Sequence, residues 1–440
     1  MPRLFAAILT GALCLFTAAA QASTTLLRDA DIEYALRQVA QPVLRAAGLS
    51  PTQVRILLID DRTLNAFVAD TQTIFLHSGL VSQLDTAAQL QAVLAHEAAH
   101  ITGGHIARRM SNMGAARTAA GLGMILGAAA AATSGNRELG AAVAAGSQGS
   151  AMRLFLSHTR AEEAAADIAS VRMMIAAGID PRAALEVQEI FRGQEALSVE
   201  RQDPYRRTHP SSRERQRALQ DLITGQPEKA PDATAEYWFA RAKGKLTAFQ
   251  RAPSWTLRRA SDSDSRDIAF MREAIAHHRN SDKARAVAAL DRAMAERNGT
   301  DPFLLELKGQ ILLESRDFPG AIRAYTAAAN AAPREALILG GLGRSLLASK
   351  RPQEALRALE AARGRDATDA RVLRDLAAAY AQTNRPAMAS LLTAERYALR
   401  GRWKDAALHA NRAADRLARG SGPWQRAQDV LFAAQRAQRR

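Results

Sequence analysis

Ala87-Ala88-Gln89-Leu90-Gln91-Ala92-Val93-Leu94-Ala95-His96-Glu97-Ala98-Ala99-His100 is the stretch on which the reading of this 440-residue chain turns. Ala, Leu and Gln are good helix formers, and no Pro or Gly interrupts before Gly103, so the stretch is expected to be one helix. Positions i and i+4 of a helix lie one turn apart on the same face. His96 and His100 can therefore close on one zinc ion, with Glu97 beside them to take a proton from a water at the metal. The same pentapeptide arises by chance in ordinary helices. Its meaning depends on a further ligand, a compartment and a place for substrate.

Two schemes could complete the ligand set. One asks for a histidine six residues after His100. That position is Ile106, and His105 misses it by one, so the scheme fails. The other draws a carboxylate from a later helix, and Arg160-Ala161-Glu162-Glu163-Ala164-Ala165-Ala166-Asp167 offers one. Glu163 and Asp167 share a face at i, i+4, so Glu163 can bind the metal while Asp167 orients a ligand histidine from behind. Glu162 stays the competitor, and the spacing to Asp167 favours Glu163.

Upstream, Leu27 to Ala47 reads as an amphipathic helix, with Ile32, Ala35, Leu36, Val39, Val43 and Leu44 on one stripe. Pro42 is expected to kink or split it. Val54 to Ile59, Asn65 to Val68 and Thr73 to Leu76 are short strand-like runs, and Ser78-Gly79-Leu80 opens the helical region that follows. A small sheet beside a metal helix has a use, because an exposed edge strand can hold an extended peptide by its main chain.

Asn65-Ala66-Phe67, His96-Glu97-x-x-His100 with His105 beyond it, and Arg160-x-x-Glu163-x-x-Ala166-Asp167 together resemble the zinc metallopeptidases of the HtpX-like, gluzincin type. The resemblance covers roughly residues 27 to 225. It implies one zinc ion per chain held by His96, His100 and Glu163, with Glu97 as catalytic base. It also implies Asn65, Ala66 and Phe67 as candidates for the substrate-holding edge strand. Thr208-His209-Pro210 extends the likeness and implies that His209 can take the fourth metal position, a latent state that must open before cleavage. Gly104 departs from the basic residue usual before His105, and His158 stands where small or aromatic residues are common.

Met1-Pro2-Arg3, the uncharged run Leu4 to Ala20 and Ala20-Gln21-Ala22 read as a secretory signal cleaved after Ala22. That places the mature chain in the periplasm, with an uncleaved membrane anchor as the weaker alternative. Cys14 is the only cysteine, so the mature chain has no disulfide and no thiolate, and a metal must rest on His and carboxylate. The net charge of +15 is spread as Arg rather than blocked. An exported protein would meet anionic lipid, lipopolysaccharide or acidic protein partners rather than nucleic acid, and a merely solvated Arg-rich surface is the equal alternative. Residues 118–152 form two Ala- and Gly-rich arms, uncharged except at Asn136-Arg137-Glu138. A helical hairpin is expected there, covering the cleft or touching a lipid surface, with simple core packing as the alternative.

From about Gly225 the composition loosens, and an offset of 34 residues then appears. Gly309 aligns with Gly343, Ala321 with Ala355 and Ala328 with Ala362, small positions with Tyr325 and Leu359 filling between them. That is the tetratricopeptide pattern. Ala389 continues the series and Ala406 follows after half a period, as if one helix served two overlapping units. His277-His278 reads as an exposed helix end.

The expected fold is mainly α with a small β-sheet: a signal peptide (1–22), a zincin-type metalloprotease domain (23–225) and an α-solenoid of tetratricopeptide repeats (235–440). The expected function is a periplasmic zinc endopeptidase. Resemblance implies misassembled outer-membrane or envelope proteins as its substrates, and the repeats are expected to dock assembly machinery or clients. The alternative is an envelope assembly chaperone or scaffold whose proteolysis is latent.

Overall fold

The computed structural model describes residues 26–68, 70–105, 108, 160–191, 209 and 213–438. The expected signal peptide and 118–152 hairpin, and His158, lie outside the described residues. Among those described, no helix is long and apolar enough to cross a membrane.

Helix α1 (Ala30–Ala46) is capped by Asp29, whose carboxylate accepts from Ile32 N. It runs unbroken through Pro42, correcting the expected split. The missing N–H falls about one turn from the C-terminus, and Val39, Val43 and Leu44 are fully buried on either side, so packing keeps the chain helical. Strands β1 (Leu26–Leu27), β2 (Arg55–Ile59), β3 (Ala66–Val68) and β4 (Thr73–His77) form one sheet in the order β1-β2-β4-β3. β2 and β4 are parallel, with Ile56 opposite Ile74, and β3 is antiparallel to β4, with Phe67 opposite Phe75. β3 is thus an edge of the sheet among the described residues. Helices α2 (Ser78–Gln83) and α3 (Ala87–Thr102) follow, with Thr86 capping α3 by accepting from Gln89 N.

The chain then provides α4 (Arg160–Ala176), α5 (Arg182–Ile190) and α6 (Arg213–Ile223). α3 is wrapped by α1, α4, α5 and β3, and nearly every residue from Ala87 to Ile101 is buried. One core joins Leu36 and Val43 of α1, Ile56 and Ile74 of the sheet, and Leu90 and Leu94 of α3.

Helix α7 (Ala233–Gln250) belongs to both halves. Phe239 and Leu246 sit in the core with α1 and α3, while α7 also packs on α9 (Arg266–Arg279). Between them come α8 (Pro253–Arg258) and a short 3₁₀ turn. Helix pairs continue as α10 (Lys283–Glu296), α11 (Pro302–Glu314), α12 (Phe318–Ala331), α13 (Ala336–Ala348), α14 (Pro352–Arg365), α15 (Ala370–Gln382), α16 (Pro386–Leu399), α17 (Trp403–Ala414) and α18 (Gly422–Gln438). The small columns do what the period implies. A Cβ on Gly309 would meet the Tyr325 ring at 2.6 Å, and one on Gly343 would meet Leu359 within 3.0 Å, so glycine sets the helix separation. α16 packs on both α15 and α17, the shared helix that the half-period step implied. His277 and His278 are half-buried rather than exposed, because the His278 Nε2 lies 2.7 Å from Glu314 Oε2 of the next unit.

The repeats close against α1. Tyr34 rests against Trp238 and Phe303, with ring centroids 5.0 and 4.7 Å apart. Arg28 pairs with Asp366 at 2.7 Å and Arg37 with Glu335 at 2.9 Å. Deeper in the junction Arg241 donates to Asp31 (2.8 Å) and to both oxygens of Asp301 (2.7 and 2.9 Å), and Lys245 Nζ lies 2.9 Å from Asp29. Glu306 is 3.7 Å from the same Nζ, and burial pushes its carboxyl up to about 7 despite the lysine.

An acid whose folded pKa exceeds its unfolded value stabilises the fold fully below the ordinary 4.5, and that contribution fades as pH rises through about 7. Glu306→Gln should therefore match wild type near pH 5 and gain on the order of 2 kcal/mol over it near pH 8. Melting curves across that range check this, and parallel profiles would contradict it.

Candidate metal centre

α3 carries both imidazoles on its inner face. His96 Nε2 and His100 Nε2 point at each other across 3.0 Å. α4 brings Glu163 against them, with Oε1 3.3 Å from His100 Nε2 and Oε2 3.4 Å from His96 Nε2. His209 arrives from ahead of α6, its Nδ1 3.0 Å from Glu163 Oε1 and 3.3 Å from His96 Nε2. One ligand atom from each of His96, His100, Glu163 and His209 lies within 4.8 Å of every other, and all four side chains are buried. Glu162, one residue off the spacing, turns instead to Arg108 at 3.0 Å.

These separations test whether the residues suit an ion. Donors about 2.0–2.1 Å from a tetrahedral zinc stand about 3.3 Å apart along each edge. Five donor separations here, counting both oxygens of Glu163, run from 3.0 to 3.4 Å. Imidazole nitrogen and carboxylate oxygen are also zinc's usual donors where thiolate is lacking. The residues fit.

The rings are held from behind. His96 Nδ1 lies 3.2 Å from Asp167 Oδ1, which leaves Nε2 facing inward. His100 Nδ1 lies 2.7 Å from His105 Nδ1. His105 reaches back because Gly103 and Gly104 turn the chain at the end of α3. Gly104 takes φ +67, and a Cβ on Gly103 would stand 2.7 Å from His105 Nε2. The histidine that misses the six-residue spacing therefore supports His100 from outside the cluster.

Arg215, on α6, was not marked by any motif. Its Nε and Nη2 grip the two oxygens of Asp167 at 2.7 and 2.9 Å, and Nη1 lies 3.0 Å from Glu163 Oε2. Burial alone would disfavour charge throughout this cluster. Hydrogen bonds from His96 and Arg215 nevertheless hold Asp167 below its usual range. Glu163 falls far below it, under the charge of His209 and hydrogen bonds from the imidazoles. His96, against the same burial, is pushed up to about 10 by Asp167 and Glu163. Without a cation the cluster thus binds a proton tightly, and a metal ion would enter by displacing it.

Arg215→Ala should strand two buried carboxylates, costing about 3–5 kcal/mol of stability and about 10- to 100-fold in zinc affinity. Arg215→Lys, which keeps the charge without the fork, should fall between. Zinc titration against a chelating dye reads the affinity, and a wild-type value for the alanine variant would contradict the assignment.

Glu97 is fully buried next to the cluster, its Oε1 3.5 Å from His209 Nε2. A recess of about 40 Å³ opens beside His96, lined by Val93, Val187, Phe191 and Leu219. β3 packs against α3, and Asn65 Oδ1 is buried with no hydrogen-bond partner among the described residues.

Comparisons with known proteins bear on the front half of the chain. Residues 28–223 match the model of Peptidase family M48. The chain is 30% identical to the beta-barrel assembly-enhancing protease of Escherichia coli (strain K12) over 164 residues, 37% of this chain and 33% of that protein. It is 30% identical to the protein of the same name from Yersinia pestis over 166 residues, again 37% and 33%. The chain thus spans about a third of the length of the curated relatives it matches. Solved structures similar to it include MamA from Desulfovibrio magneticus RS-1 (17% identity, TM-score 0.31, covering 40% of this chain and 96% of that one). Another is the TPR protein YrrB (18% identity, TM-score 0.31, covering 41% and 92%). Ahead of its array of helix pairs, residues 28–223 of the chain are similar to peptidase family M48.

Proposed function

We propose that this chain is an exported zinc-dependent endopeptidase, with His96, His100 and Glu163 as metal ligands and Glu97 as general base. The observation that carries the reading is the convergence of four ligand atoms from three separate segments on one buried point, at separations that suit a tetrahedral ion. A zinc ion bound there would supply Lewis-acid polarisation of a scissile carbonyl and acidify a water molecule. Glu97 takes the proton from that water and returns it to the leaving amine. Asp167 and His105 hold the ligand rings, and Arg215 holds Asp167 and Glu163. The free edge of β3 receives an extended substrate by main-chain hydrogen bonds, with Asn65 Oδ1 as an added acceptor.

The domain limits 23–225 and 235–440 are part of the same reading, with α7 as the element joining them. Cleavage after Ala22 and a periplasmic location belong to it too, as does docking of outer-membrane assembly machinery or clients on the repeats. Misassembled outer-membrane or envelope proteins are the proposed substrates, and the relatives' name, beta-barrel assembly-enhancing protease, supports a link to β-barrel assembly.

His209 supports a second reading, in which the protein acts as an assembly chaperone whose proteolysis is latent. Its Nδ1 takes the fourth corner and its Nε2 faces Glu97, so a single side chain covers both the place for water and the base. His209→Ala should keep about one zinc per chain and raise cleavage of an unfolded protein on the order of tenfold. Chelator should abolish that cleavage and added zinc restore it. An unchanged rate would remove the latch, and chelator-insensitive cleavage would remove the metallopeptidase reading.

A further inference from the structure

The last three helices carry a surface that the peptidase reading does not use. Among the described residues only five large apolar side chains are exposed, and three of them lie here: Leu399 (48%), Leu408 (50%) and Phe432 (61%). Residues 386–440 hold eleven Lys and Arg against four Asp and Glu, seven of the chain's net +15. Two of those acids are already engaged, Glu395 by Arg363 and Arg426 and Asp405 by Arg402. Arg400, Lys404, Arg412, Arg416, Arg419 and Arg436 have no carboxylate within 4.0 Å among the described residues.

The apolar and basic groups interleave. On α17, Lys404, Leu408 and Arg412 follow at i, i+4, i+8, so they share a face, and all three are exposed. On α18, the Arg436 guanidinium lies 5.8 Å from the Phe432 ring centroid. α18 packs on both α17 and α16, so Leu399, Leu408 and Phe432 lie on or at the end of three helices in mutual contact.

We propose that the outer surface of α16, α17 and α18 is a docking surface for an anionic phospholipid bilayer. A second copy of the chain would bring like charge against like charge. A protein partner would be expected to seat its anchors in a desolvated, charge-depleted pocket. Here the apolar side chains stand apart, each beside unpaired cations. That is the arrangement of an interfacial helix that lowers apolar tips beneath anionic headgroups while long Arg and Lys stems reach back to them. Half-buried Trp403 and Trp424 add the amphipathic rings favoured at that depth.

The test is flotation of the full chain with vesicles of phosphatidylcholine plus phosphatidylglycerol, and with phosphatidylcholine alone. Wild type is compared with Leu408→Ser/Arg412→Glu/Phe432→Ser/Arg436→Glu. Wild type should bind the anionic vesicles, release them at high salt and ignore the neutral ones. The variant should bind at least about tenfold more weakly, with zinc content and melting temperature unchanged. If the fourfold variant melts early, Arg412→Gln/Arg436→Gln is read in its place, with the same direction expected. Failure of wild type to float with anionic vesicles would overturn the proposal, and so would a variant that floats as wild type does. Capture of wild type by soluble polyglutamate but not by vesicles would overturn it in favour of an acidic protein partner.

Discussion

Glu97→Gln should lower peptide cleavage by at least about 10²- to 10⁴-fold while leaving close to one zinc per chain. The carboxamide has the shape of the carboxylate but cannot accept a proton from water. Glu97 stands outside the set His96, His100, Glu163 and His209 whose ligand atoms converge, so the metal should stay. Paired measurements of turnover and zinc content check both halves of this expectation. Retained cleavage would remove Glu97 from the chemistry, and lost zinc would make it a structural support. In cells the same variant separates the two readings of function, because a chaperone role survives it and a peptidase role does not.

Glu163→Ala is expected to remove both metal and activity. Glu163 meets all three clustered imidazoles at 3.0–3.4 Å, so no other carboxylate among the described residues replaces it there. Its loss also strips Arg215 of one carboxylate partner, while the pairing with Asp167 stays. Zinc affinity should fall by more than the roughly 10- to 100-fold expected for a residue that only supports a ligand, with cleavage lost in step. Glu162→Ala is the control. It loses a pairing with half-exposed Arg108 and should bind zinc as wild type does. Equal zinc loss in both variants would mean that folding, not ligation, had been disturbed.

What the sequence made legible was local. The α3 helix, the face shared by His96 and His100, and the pairing of Glu163 with Asp167 all follow from three- and four-residue periodicities that a reader can count. The repeats were legible for a similar reason, since Gly309 and Gly343 sit where neighbouring aromatic or branched side chains leave no room for a Cβ. Arg215 was not legible. It is one arginine in an Arg-rich chain, and its role exists only once α6 docks on α4. His105 had a signal in the Gly103-Gly104 turn, but rigid helical spacing counted it out. Pro42 misled because its local cost is outweighed by burial on both sides. The charged junction around Arg241 joins residues 210 positions apart, beyond any pattern of short range. It leaves α1 covered on two faces where its sequence stripe implied one.

The central claim is that residues of α3 and α4 enclose a single ion. Anomalous diffraction from crystals of the zinc-loaded protein, collected on either side of the zinc absorption edge, tests it most directly. One peak is expected, about 2.0–2.2 Å from His96 Nε2, His100 Nε2 and a Glu163 oxygen. A peak elsewhere on the chain, or none among these three side chains in fully loaded protein, would contradict the account.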